Sequence, residues 1–422
     1  MWSRKRLDIG WSDLAAGAAR AFFPPDLAKA ERRAESLWPA PDNAICCLSV
    51  RSGFDLLLGA LDLPKGSEIL ISAMTIPDMV RIVKEHGLTP VPLDMAPLTM
   101  TPSLSELQAA VTPATKAILI AHLFGGRVKM EPILEFARQH GLLVFEDCAQ
   151  AFAGSDYPGH PDADASMFSF GVIKASTALG GAVLRIRDRN LLKQMRERQS
   201  AWPMQSRWRY LKRLVKYGAF KLLTSRLVCG AILGVCLAVK WDYDRAINGA
   251  ARGFPGADFF QQIRKRPCGP LLIVIARRLR DYDTRRWQRH AEKGHSVARM
   301  LAAHGVSCPG AAMSPHTYWV FPVTVEDPNR LMSELAHAGF DATQGQSMCI
   351  VPPPADRAVR KAKAAEELLA RLVYLPFYPE LSAAEAERMA TIVAAGARRE
   401  SAPATGGADV SVCHQTGVPA RP

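Results

Sequence analysis

The chain has 422 residues, 48% of them hydrophobic and 22% charged, with a formal net charge of +13. That composition supports a full core and excludes a disordered or fibrous protein. Its length favours one large and one smaller domain. Nine cysteines at irregular spacings, with no CxxC and no His cluster, point neither to a disulfide framework nor to a metal site. A reducing, cytoplasmic setting is expected. The basic start Met1–Arg6 is followed by Leu7-Asp8-Ile9-Gly10 rather than an unbroken apolar run, so no signal peptide is expected.

Residues 1–43 read as an N-terminal segment. From Ala44, short Val/Ile/Leu-rich runs alternate with helical patterns, as in repeated βα units around a largely parallel sheet. Strands are predicted at 45–50, 68–72, 90–94, 116–121, 142–146, 166–170 and 182–186. Helices are predicted near 54–61, 77–86, 104–111 and 130–140. This makes residues 44–195 a large α/β domain on a mixed, mostly parallel seven-stranded sheet in three layers.

Residues 196–256 read as a basic and then apolar insert. Arg196 to Arg226 holds nine Lys or Arg against one acid, Glu197, and thirteen uncharged residues follow from Leu227 to Val239. That run is shorter than the roughly 20 residues a spanning helix needs. A basic helix leading into a buried core helix is the simpler expectation, and peripheral membrane contact through 200–245 is the other. Residues 257–400 read as a long Arg-rich helix over 271–301 and then a small C-terminal α/β domain. That domain has a strand at 317–325 and helices near 330–338 and 381–395. Residues 401–422 read as a mobile tail.

Ligands of an open α/β sheet bind beyond the carboxyl ends of its strands. Three polar strand ends are candidates there: Arg51-Ser52-Gly53, Glu146-Asp147-Cys148-Ala149-Gln150 and Ser169-Phe170-Gly171-Val172-Ile173-Lys174. Lys174, amid Phe168, Phe170, Val172 and Ile173, is placed to lose its hydration, which lowers an amine's pKa and frees it as a nucleophile. Asp147 ends an apolar strand, where a carboxylate can hold a pyridine nitrogen protonated or simply cap a helix. Ser52 and Gly53, read as preceding a helix, suit a phosphate at its positive end, with Ser169 as a second hydroxyl.

Taken together these segments resemble the DegT/StrS family of pyridoxal-phosphate-dependent sugar aminotransferases. Gly66-Ser67-Glu68-Ile69-Leu70, Gly87-Leu88-Thr89-Pro90, Thr112-Pro113-Ala114-Thr115-Lys116, His122-Leu123-Phe124-Gly125 and Gly180-Gly181 carry the likeness alongside the site segments. The resemblance implies the aspartate-aminotransferase fold and a Schiff base between pyridoxal 5'-phosphate and Lys174. It also implies Asp147 on the pyridine nitrogen, Gln150 near the ring and its 3-hydroxyl, and Ser52, Gly53 and Ser169 on the phosphate. The free lysine would act as general acid and base. A homodimer is implied, with glutamate as amino donor and a keto-sugar nucleotide as acceptor, serving glycan, glycolipid or secondary-metabolite synthesis.

Four positions depart from the pattern. Phe54 stands where a Thr is usual, and Ile76 where an aromatic ring often stacks on the cofactor, leaving only apolar contact. Gly171 and Leu179 replace a common His and Glu. These departures motivate the alternative of a cofactor-poor, membrane-associated or regulatory binding protein. Retention of Lys174 argues against the dehydratase-like relatives, and no nucleic-acid-reading motif accompanies the basic stretch.

Overall fold

A computed structural model describes residues 2–3, 6–223, 258–345 and 347–401. The apolar run 227–239 and the tail from residue 402 lie outside the described residues. Eleven strands are defined: β1 (Ala44–Cys47), β2 (Glu68–Ser72), β3 (Met74–Thr75), β4 (Thr89–Leu93), β5 (Thr115–Ala121), β6 (Leu143–Asp147), β7 (Ala165–Ser169), β8 (Ala182–Ile186), β9 (Phe321–Thr324), β10 (Cys349–Ile350) and β11 (Leu372–Leu375).

Seven of them form one sheet in the order β1-β8-β7-β6-β5-β2-β4. β8 runs antiparallel to both neighbours, and the other pairings are parallel. The expected α/β architecture is therefore present, with one reversed strand. The central strands are buried on both faces, which is why they read as continuous apolar runs rather than as alternating ones. Phe145 and Met167 point into one core layer with the helix Val50–Leu61, while Val144 and Ile120 point into the opposite layer. Alternation along β6 then sends Asp147 to the Phe145 side and Glu146 to the other.

Several boundaries differ from expectation for local reasons. β1 stops at Cys47 because Ser49 is an N-cap: its side chain accepts from Ser52 N at 3.1 Å, and the helix starts at Val50. Ser52 and Gly53 therefore lie in the first turn of this helix rather than before it. The predicted 271–301 helix is two helices, Gly269–Arg280 and Thr284–Ala303. The second begins where Asp283 accepts from Arg286 N at 2.9 Å. β9 begins only at Phe321, since Thr317 is instead bonded to the loop at Gly125, its N donating to Gly125 O at 2.8 Å.

The stretch after Arg189 is not set apart as far as Leu223. Helices Arg189–Ser200 and Arg207–Leu223 pack into the body, with Tyr210, Leu214 and Tyr217 in the same core cluster as Leu271 and Phe170. A basic helix is present over 207–223, as either reading of this segment allows, and the apolar run expected after it lies outside the described residues. The N-terminal segment also holds two helices, Trp11–Phe22 and Leu27–Ser36. A smaller C-terminal layer pairs β9 with β11 against helices Pro328–His337 and Ala383–Ser401.

Gly53 is explained by packing. A Cβ there would sit 2.5 Å from Leu184 Cδ1 and 2.6 Å from Cδ2, and Leu184 is fully buried on β8 with no room to retreat. Gly53→Ala is expected to destabilise the protein by about 1–3 kcal/mol, as overpacked cores do, read as a lower urea midpoint.

Candidate functional site

The carboxyl edge of the sheet gathers Asp147 from the end of β6, Ser169 from the end of β7, Lys174 one turn later and Arg51 from the helix after β1. These four, with Gln150 and Gly171, are half-buried, whereas the strand residues behind them are buried. Polar groups on a floor of buried apolar ones, open on one side, form a recess that can take a ligand.

Lys174 is held by its neighbours on both sides. Its backbone N donates to Gly171 O at 3.1 Å, and Gly171 N donates to Ser169 Oγ at 3.3 Å. Phe170 O accepts from Ala178 N and Gly180 N, closing the loop after the lysine. Burial lowers the amine to about 8; the Asp147 charge opposes this and the Arg51 charge adds to it. Burial in turn pushes the Asp147 carboxyl up, against the hydrogen bond from Ala149 N at 3.0 Å and the positive charges of Lys174 and Arg51. Lys174, Asp147 and Arg51 thus form one electrostatic unit. Arg51 is also ion-paired to Asp78 at the start of helix Pro77–Glu85.

The remaining sequence candidates fall at different distances from this unit. Gln150 Oε1 accepts from Phe124 N at 2.8 Å, which orients its amide over the β5 loop. Ser52 Oγ lies 2.9 Å from Ser49 Oγ in the first helical turn, fully buried. Gly53 N donates to Ser49 O at 3.0 Å and its α-carbon faces Leu184, so its place in the turn does not depend on a phosphate. Ile76 is two strands away from β6, just before helix Pro77–Glu85, and packs on the cluster that contains Phe145 and Met167. Phe54 is fully buried in that cluster.

Trp319 was not among the sequence candidates. Its indole Nε1 donates to Ile173 O at 3.0 Å, and Lys174 Nζ lies 4.2 Å from the ring centroid, an ammonium–aromatic contact. The loop carrying it is fixed on Gly125, where any Cβ would come within 2.6 Å of Trp319 N. No local signal marks a tryptophan so distant in sequence from the lysine.

Behind Asp147, on the other face, Glu146 is fully buried and fully engaged. Ser166 Oγ and His160 N donate to Oε2 at 2.6 and 2.8 Å, Tyr157 donates to Oε1, and His122 Nε2 lies 3.0 Å from Oε1. Val128 N donates to His122 Nδ1 at 3.0 Å, which leaves Nε2–H to donate to the carboxylate. Cys148 lies close enough to His122 and Glu146 to complete a three-group cluster, but the donors already present use the carboxylate's acceptor sites. The carboxyl is held down to about 2: burial opposes ionisation, and hydrogen bonds from His122, Ser166 and Tyr157 outweigh it.

Because the folded value lies below the ordinary 4.5, Glu146 adds stability that is complete above that pH and fades as pH falls toward 2. The gap in unfolding free energy between wild type and Glu146→Gln is expected to be roughly 3 kcal/mol near neutrality and to close in acid, by urea titration across pH. A gap independent of pH would refute it.

A mostly parallel sheet with one reversed strand, and a lysine and a carboxylate at its carboxyl edge, is an arrangement open to comparison with solved structures. The solved structures share this fold. An aminotransferase TlmJ from Streptoalloteichus hindustanus superposes with a TM-score of 0.65 at 18% identity, covering 95% of this chain and 100% of its own. PseC from Helicobacter pylori, an aminotransferase of pseudoaminic acid biosynthesis, gives 0.67 at 14% identity, covering 94% and 99%.

The model of the DegT/DnrJ/EryC1/StrS aminotransferase family matches residues 31–216. The match takes in every site residue named above except Trp319, and it extends into the first part of the 196–256 segment, as far as residue 216. A GDP-perosamine synthase of Caulobacter vibrioides is 36% identical over 157 residues, 36% of this chain and 42% of the relative. That of Escherichia coli O157:H7 is 37% identical over 139 residues, 32% and 38%. The chain thus spans about two fifths of the length of these curated relatives.

Proposed function

We propose that the protein is a pyridoxal-phosphate-dependent aminotransferase that places an amino group on a keto carbon of a nucleotide-linked sugar, with glutamate as donor. The observation that carries this is the Lys174 amine, brought to about 8 beside Asp147 in a half-open recess. A binding protein has no use for so costly a pair. The residues present suit the cofactor: a buried amine, a carboxylate on the same floor, hydroxyls of Ser52 and Ser169, and a helix start at Val50.

When bound, the cofactor supplies an aldehyde for condensation with amines and a ring that takes up electron density. Asp147 would hold a proton on the ring nitrogen, and the helix start with Ser52 would face the phosphate. Gln150, its oxygen engaged by Phe124 N and one amide hydrogen directed at Met348 Sδ at 3.9 Å, has its second amide hydrogen for a ring hydroxyl. The Lys174 Nζ, half protonated near pH 8, can both accept and return a proton at a substrate carbon. The indole of Trp319 shields that amine from bulk water on the small-domain side. The cofactor site is completed in a homodimer in this proposal.

The test incubates purified protein and pyridoxal phosphate with glutamate against a panel of keto-sugar nucleotides, GDP-linked ones first because the relatives are GDP-perosamine synthases. Acceptor-dependent 2-oxoglutarate is the expected result. Its absence across the panel, with cofactor bound, would overturn the sugar assignment.

A further inference from the structure

We propose that the outer faces of helices Trp11–Phe22 and Arg207–Leu223 together form a docking surface for an anionic lipid bilayer. This rests on the surface of the fold alone and is independent of the amino-transfer reading.

The two helices lie side by side and antiparallel. A Cβ on Gly17 would meet Leu214 Cδ1 at 3.0 Å, one on Gly218 would meet the Trp11 ring at 3.8 Å, and the Phe22 and Trp208 rings are 5.4 Å apart. Their inner faces bury Leu14 and Ala21 on one helix and Tyr210, Leu214 and Tyr217 on the other. Their outer faces are apolar where a soluble helix is usually polar. Trp11, Phe22, Phe23, Trp208, Val215 and Leu222 are between 45% and 76% exposed. On the second helix, positions 208, 212, 215, 219 and 222 make a continuous outward stripe, and all five are exposed.

Charge decides what this face meets. Arg20 and Arg209 are exposed beside the stripe, and Lys212 lies within it. The second helix has no acidic residue, and the first has only Asp13, which is buried and paired to Arg277 and Arg278. A twofold self-contact would set these cations against their own copies, with no exposed carboxylate on either of the two helices to relieve them. A nucleic acid would use the cations but would leave exposed Phe, Val and Leu side chains unburied. An anionic bilayer accepts both: aromatic and aliphatic groups enter the headgroup boundary while Lys and Arg lie against the lipid phosphates. No helix among the described residues is long and apolar enough to cross a membrane, so the contact is peripheral.

The experiment uses the full chain and vesicles of phosphatidylcholine with or without phosphatidylglycerol. Sedimentation with the anionic vesicles at low salt, release at high salt, and no sedimentation with phosphatidylcholine alone is expected. Phe22→Ser/Phe23→Ser/Trp208→Ser should lower the partition coefficient at least roughly tenfold, and Arg209→Glu/Lys212→Glu should remove its salt-sensitive part. Circular dichroism should match wild type for both variants, and the Arg209→Glu/Lys212→Glu variant, which keeps the Phe22–Trp208 ring contact, should also melt like wild type. Failure of wild type to bind anionic vesicles would overturn the proposal, as would binding that survives in both variants. Dissociation of a wild-type oligomer by the triple variant would reassign the face to a subunit contact.

Discussion

Lys174→Ala is expected to abolish amino transfer, by at least about 10⁴-fold if the amine both anchors the cofactor and moves the proton, since proton transfer alone is worth some 10²–10⁴. The decisive readout is chemical rather than kinetic. Pyridoxal phosphate added to the wild-type chain and reduced with borohydride should leave a phosphopyridoxyl mass on the peptide carrying Lys174, and the variant should carry none there. The rate of this trapping also reports the amine's environment. Only the neutral amine condenses, and burial brings Lys174 down to about 8 from an ordinary 10.5. Trapping should therefore be half-maximal near pH 8 and level above it, whereas a solvated lysine would still be accelerating at pH 10. A label spread over surface lysines, or a profile rising to pH 10, would show that Lys174 is an ordinary side chain.

The sign of the shift has a consequence for stability. A lysine whose folded value lies below its unfolded one costs stability while it is charged, and the cost falls as pH rises through the folded value. Lys174→Met should thus stabilise the cofactor-free protein below pH 8 and change it less above. That is the behaviour of a group retained for chemistry rather than for packing.

Much of the site was legible because its chemistry sits where strands end. β2 and β8 have the bounds expected, since each is buried along its whole length and its apolar run is flanked by polar or glycine residues, Ser67-Glu68 and Ser72 for β2, Gly180-Gly181 and Arg187-Asp188 for β8. Lys174, Asp147 and Ser169 follow β6 and β7 directly, so the sheet places them together whatever the loops do. Capping is a subtler signal. Ser49 was passed over in favour of Ser52-Gly53, although Ser49 is the side chain that accepts an N–H of the first turn.

What was not legible is non-local. Trp319 reaches Lys174 because Gly125 carries no Cβ, which would lie 2.6 Å from Trp319 N and push its loop away. Asp8 accepts from Ser176 N at 2.7 Å and binds Arg278 and Arg286, tying the first residues of the chain to the loop after the lysine. Arg51 stood in a recognised segment, but its charge acquires meaning only when the fold sets it near Lys174. The two-helix face needs both partners: Trp11–Phe22 carries one exposed cation, Arg20, and its outer face gains more only where Arg207–Leu223 lies along it.

Asp147→Asn is the second substitution with a large expected effect, and its signs separate a functional carboxylate from a structural one. As an amide it is nearly the same size, so the 3.0 Å contact with Ala149 N can be kept by the side-chain oxygen. Burial penalises the Asp147 charge, so replacing it should cost the cofactor-free fold no more than about 1 kcal/mol by urea titration. Cofactor affinity and kcat should nonetheless fall, kcat by about 10²–10³, because a neutral amide cannot hold a ring nitrogen protonated. The lysine should report the same change independently. The Asp147 charge is the influence that holds the Lys174 amine up against burial and Arg51, so its removal should move the trapping midpoint to lower pH. An unmoved midpoint would mean that the two groups do not sense one another. A collapsed melting temperature with normal residual turnover would make Asp147 a structural residue.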